Sequence, residues 1–472
     1  MRSTFYGFEA VKSGLTAAQA GLDVTANNIA NQSTEGYSRQ FVKQAATYYE
    51  SDSYKIALNG VLHYNMGVDV QGIGQTREQF LDLRYRSTNS ESSALAKSLS
   101  ILQDIENNLD ETQTDGLSVM MEDFYAQLQS LSQNAGEVEF SSLVRSCAQK
   151  VTQTLNHYDL QLATIRSHEV QGMEVKVKDV NTLLGKIDKI NRSMQVATLQ
   201  KEPTNELNDM RNLYLDQLSS HLDIAVTSHM DGTISIKTGG EFLLDAQNNT
   251  ISTVALVDDP DNVHIDVDGT TVTLQGGSLM GSMQVLNGLG SYAGAADSDY
   301  KGLPYYRESL NSLANSLATT FNGLNGGPLF SGTTAANIAI SNQWLNDPNY
   351  IKATLDAGPA EGKNDNLLRM ISAMDEQRAV SPTYNGTFAE YTLSLMTDIA
   401  IGVNYTEDIA TTSDMVATAI KNQRESVMGV DTNEETINML KYQRAFEASS
   451  RVMTALDEAL DVLINRTGLV GR

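Results

Sequence analysis

The chain has 472 residues, 41% hydrophobic and 19% charged, with a formal charge of −25 and one cysteine. That length exceeds what a single core holds, so roughly two to four domains are expected. The acidic balance, with no basic run, argues against nucleic acid and anionic membrane surface as partners.

No stretch reaches the about eighteen consecutive apolar residues of a membrane span; the candidate at 393–403 is broken by Ser394, Thr397, Asp398 and Gly402. The opening MRSTFYGFEAVKSGL has no apolar run ending at a small-residue cleavage site, so no ordinary secretory signal is expected.

The first helix is expected from about Ser3 to Ile29, ending in Asn27-Asn28-Ile29-Ala30-Asn31, where asparagine acts as a left-handed terminator. A turn follows at Glu35-Gly36, then an extended connector over 47–74 with one or two short hairpins. Helix resumes near Glu78. Leu95, Leu99, Leu102, Ile105 and Leu109 make one apolar stripe, and Leu117, Met121, Phe124, Leu128 and Leu131 a second. Val151, Leu155, Tyr158, Leu162 and Ile165 make a third that extends toward Leu199. Pro203 breaks the pattern before Thr204-Asn205-Glu206 restarts it.

At Asp223 the composition turns β-branched. Asp231-Gly232 and Asp268-Gly269, each between alternating apolar residues, are hairpin signals. Residues 223–286 therefore read as a small β-rich insertion of six strands ending at Gly276-Gly277. Helix returns with Tyr306, Leu310, Leu313, Leu317 and Phe321, and a loop-rich stretch runs from 322 to 363. Helices follow over 366–374 and 387–428. The last helix starts at Asp431, with Glu434 completing a capping box and Glu435 adding negative charge at the positive helix end; Gly468 can stop it.

Catalytic signals fail on inspection. His168-Glu169 would begin H-E-x-x-H, but position 172 is glycine, so the pair reads as a solvated helix face. Asp266, Asp268 and Gly269 resemble part of a calcium loop, yet Gln275 stands where its bidentate glutamate belongs, and a hairpin turn is the better account. Gly72-Ile73-Gly74 lacks the remainder of a phosphate loop and reads as a strand-end turn. The six histidines have no ligand spacing, and Cys147 sits among apolar neighbours with no base partner. No enzyme activity, cofactor or metal is expected.

The two ends carry the strongest pattern. Phe8, Val11, Leu15, Ala18, Leu22, Thr25 and Ile29 alternate steps of three and four, as do Met439, Tyr442, Phe446, Ser449, Met453, Leu456, Leu460 and Leu463. Such narrow stripes are seams for another helix. Ordinary internal core is the default reading of one stripe. Matching stripes at opposite termini suggest that the ends pair with each other or with neighbouring copies, which marks these residues as subunit-interface candidates.

SGLTAAQAGLDVTANNIANQSTEGYSRQ (13–40) and EETINMLKYQRAFEASSRVMTALDEALDVLINR (434–466) resemble the terminal signatures of the axial family of the bacterial flagellum, its rod, hook and junction proteins. The family motif falls on Asn27, Asn28, Asn31, Gly36, Tyr37, Ser38 and Arg39. GYSRQ, with RNLYLDQLSSHLDIAVTSHMDGTISIKTGGEFLL, QGGSLMGSMQVLNGL and NSLANSLATTFNGLNGGPLFSG, is similar to the hook–filament junction branch; hook or distal-rod protein is the alternative.

The resemblance implies a mainly α fold with a β insertion, terminal helices paired in a coiled coil, a long-helix rod domain and one small outer β-rich domain. On that expectation the divisions are 1–75, 76–222, 223–290, 291–430 and 431–472. It further implies a structural subunit enabling filament assembly, in a ring of about eleven copies. Its partners would be hook protein, a second hook-associated protein or filament, and an export chaperone. The location would be extracellular, on the flagellum, reached by type III export of the unfolded chain.

Overall fold

The computed structural model describes residues 6–49, 64–109, 116–260, 262–293, 300–356 and 362–466. The expected starts and stops at Ser3 and Gly468, and the middle of the 47–74 connector, lie outside these residues. The first helix, α1 (Tyr6–Ala30), leads into a long antiparallel hairpin, β1 (Gln40–Tyr49) and β2 (Tyr64–Gln75). Gly72-Ile73-Gly74, expected as a strand-end turn, lies inside β2. There the register shifts between Lys43 and Gln44, beside Gly72 at φ +143°, so the glycine serves a bulge.

Helices α2 (Gln79–Leu109), α3 (Leu117–Gln133) and α4 (Val138–Gln200) follow, then α5 (Asn205–His221). At 63 residues, α4 spans about 95 Å. Its buried residues keep the 3.6-residue period throughout, but they serve two cores. Val144 to Ile165 pack with α3, the C-terminal half of α2 and three later helices, α7 (Leu303–Asn325), α9 (Asp365–Asp375) and α10 (Phe388–Met428). Val170 to Ile187 pack instead against α5 and the β-rich region. One helix is thus the common wall of both.

The β-rich region differs from its expectation. It holds seven strands in two sheets, β3 to β6 (Ala225–Ser228, Ile234–Thr238, Glu241–Asp245, Thr250–Ile251) and β7 to β9 (Val254–Asp258, Val263–Val267, Thr270–Val272). Asp268 and Gly269 take φ of +50° and +83° between paired Val267 and Thr270, as a primed hairpin turn requires. Gly239-Gly240 makes a second such turn between β4 and β5. The region does not end in strands. Residues 277–287 form helix α6 (Gly277–Asn287), whose Gly281 lies so close to Ala94 of α2 that a Cβ would strike its carbonyl. That contact also turns α2: Ala94, Ser98 and Ile101 are buried, whereas Leu95 and Leu99 of the expected stripe are only partly covered.

The strands are short; Ile236, Leu244, Ile265 and Val267 close their core by packing with Val180, Leu184 and Ile187 of α4, Leu215 and Leu218 of α5, and Leu279 of α6.

After α7, two short strands, β10 (Phe330–Ser331) and β11 (Ala339–Ile340), and helix α8 (Asn342–Asn346) plug the first core with aromatics. Trp344 is fully buried, edge-on to Phe330 at 5.8 Å, and Phe330 meets Phe321 at 6.2 Å. A hairpin, β12 (Arg378–Ser381) with β13 (Tyr384–Gly386), precedes α10, which begins in a full capping box between Thr387 and Glu390 and lies along α2. The chain closes with α11 (Thr432–Asp461) and a π-helical turn (Val462–Arg466). Asp431 caps α11 by accepting from the N–H groups of Asn433 and Glu434. The side chain of Glu434, expected to complete a capping box, bonds Arg39 instead.

Because α4 closes the β-rich core, Leu184→Ala should destabilise the whole region by about 2–5 kcal/mol, with Leu184 fully buried. Chemical denaturation followed by hydrogen exchange should show β4, β5 and β8 losing protection together with α4. A loss confined to α4 would separate the two.

Candidate assembly interface

Helices α1 and α11 run antiparallel in one register. Gly7 lies against Leu456, Gly14 against Ser449 and Gly21 against Tyr442. Each step of seven in one helix is answered by a step of seven in the other, and the next pair is Asn28 with Glu435. At Gly21 a Cβ would sit 2.5 Å from the Tyr442 ring, so the residue must be glycine for the axes to approach this closely. Ala17, Ala18, Val24 and Thr25 are buried on α1. Its other side carries β2: Val68 N–H donates to Ser13 Oγ at 3.1 Å, and Gly67 fits against Ala10.

Of the expected seam, Ala18 and Thr25 are buried, and Phe8, Val11, Leu15, Leu22 and Ile29 are half-buried. Met439, Tyr442, Ser449, Met453, Leu456 and Leu460 are half-buried on α11. Phe446 and Leu463 are more open, at 39% and 50% exposed. One helical partner covers one side of α11, and the stripe is wider than that. Ile437, Leu440 and Val452 are exposed as well.

At the root of the pair is a buried polar clasp. Asn28, fully buried, uses every hydrogen-bonding position it has. Its Nδ2 donates to Gln40 O and to Glu435 Oε2, both at 2.9 Å, while Oδ1 accepts from Tyr37 OH at 2.8 Å and Gln40 N–H at 3.0 Å. Asn28 therefore lies inside the helix as a hub and not as a left-handed stop; neither it nor Asn27 or Asn31 has positive φ. Asn31 donates back to Asn27, and Gly36, at φ +80°, fits its turn against Leu213 of α5.

Arg39 bonds Glu435 and Glu434, each at 2.8 Å, and its N–H reaches Met428 O at the end of α10. Ser38, fully buried, gives both its N–H (3.0 Å) and Oγ–H (2.7 Å) to Asp209 of α5. Burial pushes the Asp209 carboxyl up, against the Ser38 bonds and Arg77, which pull it down. Burial, then the Asp209, Glu206 and Glu435 charges, pushes the Tyr37 phenol to about 12, which keeps it a donor to Asn28.

A second ring of charge continues into the body. Arg77 forks onto Asp82 (Nε 2.7 Å, Nη2 3.0 Å) and reaches Asp209 at 3.3 Å. Arg424 of α10 bonds Asp216 at 2.6 Å and Asp82 at 3.5 Å, with its guanidinium 4.0 Å from the Tyr85 ring centre. Arg86 completes the ring on Asp216 at 2.7 Å. Asp82, Asp209, Asp216, Arg77 and Arg424 carried no motif in the sequence. The glycines at steps of seven and Glu435 were visible there, and only their meaning was missed.

Among the described residues no helix is long and apolar enough to cross a membrane, and no three His, Cys, Asp or Glu side chains gather as metal ligands. His168 is exposed, and Glu169 pairs with Lys97 at 2.8 Å. Cys147 is half-buried at the edge of the first core, its thiol pushed up by burial.

Residues 102–327 match the flagellar hook-associated protein FlgK helical domain, 421–466 the flagellar basal body rod FlgEFG protein C-terminal model, and 9–37 the flagella basal body rod protein model. The chain is 29% identical to flagellar hook-associated protein 1 of Bacillus subtilis, over the whole of both chains. It is 22% identical to flagellar hook-associated protein 1 of Escherichia coli, over 96% of this chain and 98% of that one. The solved flagellar hook junction protein FlgK from Burkholderia pseudomallei has the same fold, with a TM-score of 0.61 over 73% of this chain and all of that one, at 12% identity.

The fold and its terminal helices are those of the structural proteins of the bacterial flagellum. Within that class, the chain is similar over its whole length to flagellar hook-associated protein 1.

Removing the hub should free the helix pair from the body. Asn28→Ala removes the donor to Glu435 Oε2 and Gln40 O and the acceptor of Tyr37 OH and Gln40 N–H, a loss of roughly 2–4 kcal/mol. Hydrogen exchange should accelerate in α1 and α11 while α3 and α7 keep their protection. Thr34→Ala, on the exposed turn, should stay within about 0.5 kcal/mol of the parent. Unchanged exchange in α1 would mean that the clasp does not hold the pair.

Proposed function

We propose that the chain is a structural, non-catalytic subunit of the flagellum at the hook–filament junction, repeated around the axis as a ring of about eleven copies. Residues 1–75 and 431–472 would be its axial part, lining the ring. Residues 76–430 would be the body outside it, in which the β-rich stretch is fused to the helices and not hinged on them. Hook protein would lie on one side and a second hook-associated protein or filament on the other. The chain would leave the cell unfolded through the flagellar export channel, with an export chaperone.

The observation that carries this reading is the geometry of α11. Its register with α1 is fixed by glycines and by the buried Asn28–Glu435 pair, while Ile437, Leu440, Phe446 and Leu463 stay exposed on the same helix. A rigid pair with apolar residues left over is suited to packing against identical pairs. Hook or distal-rod protein is the second reading, since the two terminal models belong to rod proteins. The helical-domain match over 102–327 favours the junction.

The test uses a strain lacking the gene, complemented with variants. Leu440→Asp/Phe446→Asp should melt as the parent does, be exported, and yet leave hooks bare with filament protein shed into the medium. Glu458→Gln, at an exposed position, should swim normally. Blotting of the culture supernatant separates failed export from failed assembly. Normal filaments on hooks carrying the exported double variant would exclude this face of α11 from the subunit contact.

A further inference from the structure

One arginine lies outside the charge ring and has no acid to answer it. Arg211 of α5 is 8% exposed. Its Nη1 donates to Gly232 O at 2.6 Å and to Asn191 Oδ1 at 3.4 Å, its Nη2 to Asn208 Oδ1 at 3.2 Å, and its Nε has no acceptor. All three acceptors are neutral. Burial and the neighbouring Arg86 and Arg77 charges push this guanidinium down to about 10, and no carboxylate pulls it back. Arg77, Arg86 and Arg424 share Asp82, Asp209 and Asp216 among themselves. Three acids thus face four arginines, and the excess charge rests on Arg211. A positive excess is uncommon ground in a chain of net charge −25.

Arg211, Arg77 and Arg86 line a single cleft of about 520 Å³, walled on its far side by β3. β3 pairs only with β4, so its outer edge is open toward this space. The same cluster displays the geometry a planar anion would adopt: Arg77 holds Asp82 through Nε and Nη2 at 2.7 and 3.0 Å. On Arg211 the corresponding Nε is unused. Guanidinium forks bind carboxylate and phosphate oxygens in this two-point manner.

We propose that this cleft is an oxyanion-binding site, in which a carboxylate or phosphate group bridges the Nε side of Arg211 and supplies the missing negative charge. The two sources of that chemistry are an acidic side chain brought by a neighbouring chain and a free inorganic oxyanion.

Thermal unfolding of the full chain decides it. Inorganic phosphate, titrated to about 10 mM against chloride at equal ionic strength, should raise the first melting transition saturably, by roughly 2 °C. Asn208→Asp places a carboxylate of the same shape on Nη2 of Arg211. It should melt above the parent in phosphate-free buffer and no longer respond to phosphate. Succinate in place of phosphate separates the sources: an equal rise identifies a site for carboxylates, as a neighbouring chain presents them, and a rise with phosphate alone identifies a free-oxyanion site. No saturable rise in the parent with either anion, or an equal rise in Asn208→Asp, overturns the proposal.

Discussion

Asn28 is the one side chain on which both ends of the chain depend. It is fully buried, its four hydrogen bonds span the end of α1, the first residues of β1 and the start of α11, and Glu435 ties it to Arg39. A buried polar group is expensive unless every position is satisfied. Sliding α11 by one heptad would set Tyr442 at Asn28 in one direction and strand Glu435 beside Gly21 in the other. The polar pair thus excludes alternative registers, the role for which buried polar residues in coiled coils are best attested. The glycines at 7, 14 and 21 supply the attraction by letting the helices close, and the clasp supplies the choice.

From that point rigidity passes inward. Ser38 is bonded to Asp209, Arg39 to the end of α10, and Arg77 to α2, so two chain crossings and four helices meet within one ring of charge. The long α4 then carries both cores on one axis. A body whose β-rich part shares a wall with its helices is stiffer than one carrying an appended module.

Much of this was legible in the chain. Helix extents over 117–131, 366–374 and 387–428 followed from period and capping, because their apolar stripes face a wide core. Asp268-Gly269 announced its turn, since only positive φ serves there. Three features were hidden for physical reasons. The second face of α2 is made of Ala94 and Ser98, small residues that carry little hydrophobic signal yet allow Gly281 to approach. The wall that covers the β-rich region, residues 170–187, was hidden because it lies outside that stretch of sequence. Asn28 read as a helix stop because its local tendency and its tertiary role point in different directions. The axial signature was recognisable at both ends, but its letters gained meaning only through Glu435 and Asp209, 407 and 171 positions from the residues they hold.

The central claim is the fixed register of α1 on α11, and cross-linking measures it most directly. In a background with Cys147→Ser, cysteines at Gly14 and Ser449 face each other, the glycine position lying 3.3 Å from Ser449 Oγ. Cysteines at Gly14 and Tyr442 are one heptad out of step. Under mild oxidation of the dilute full chain, the first pair should form an intramolecular disulfide in nearly all molecules and the second should remain reduced. Comparable disulfide yields from the two pairs would contradict a register set by Asn28 and Glu435.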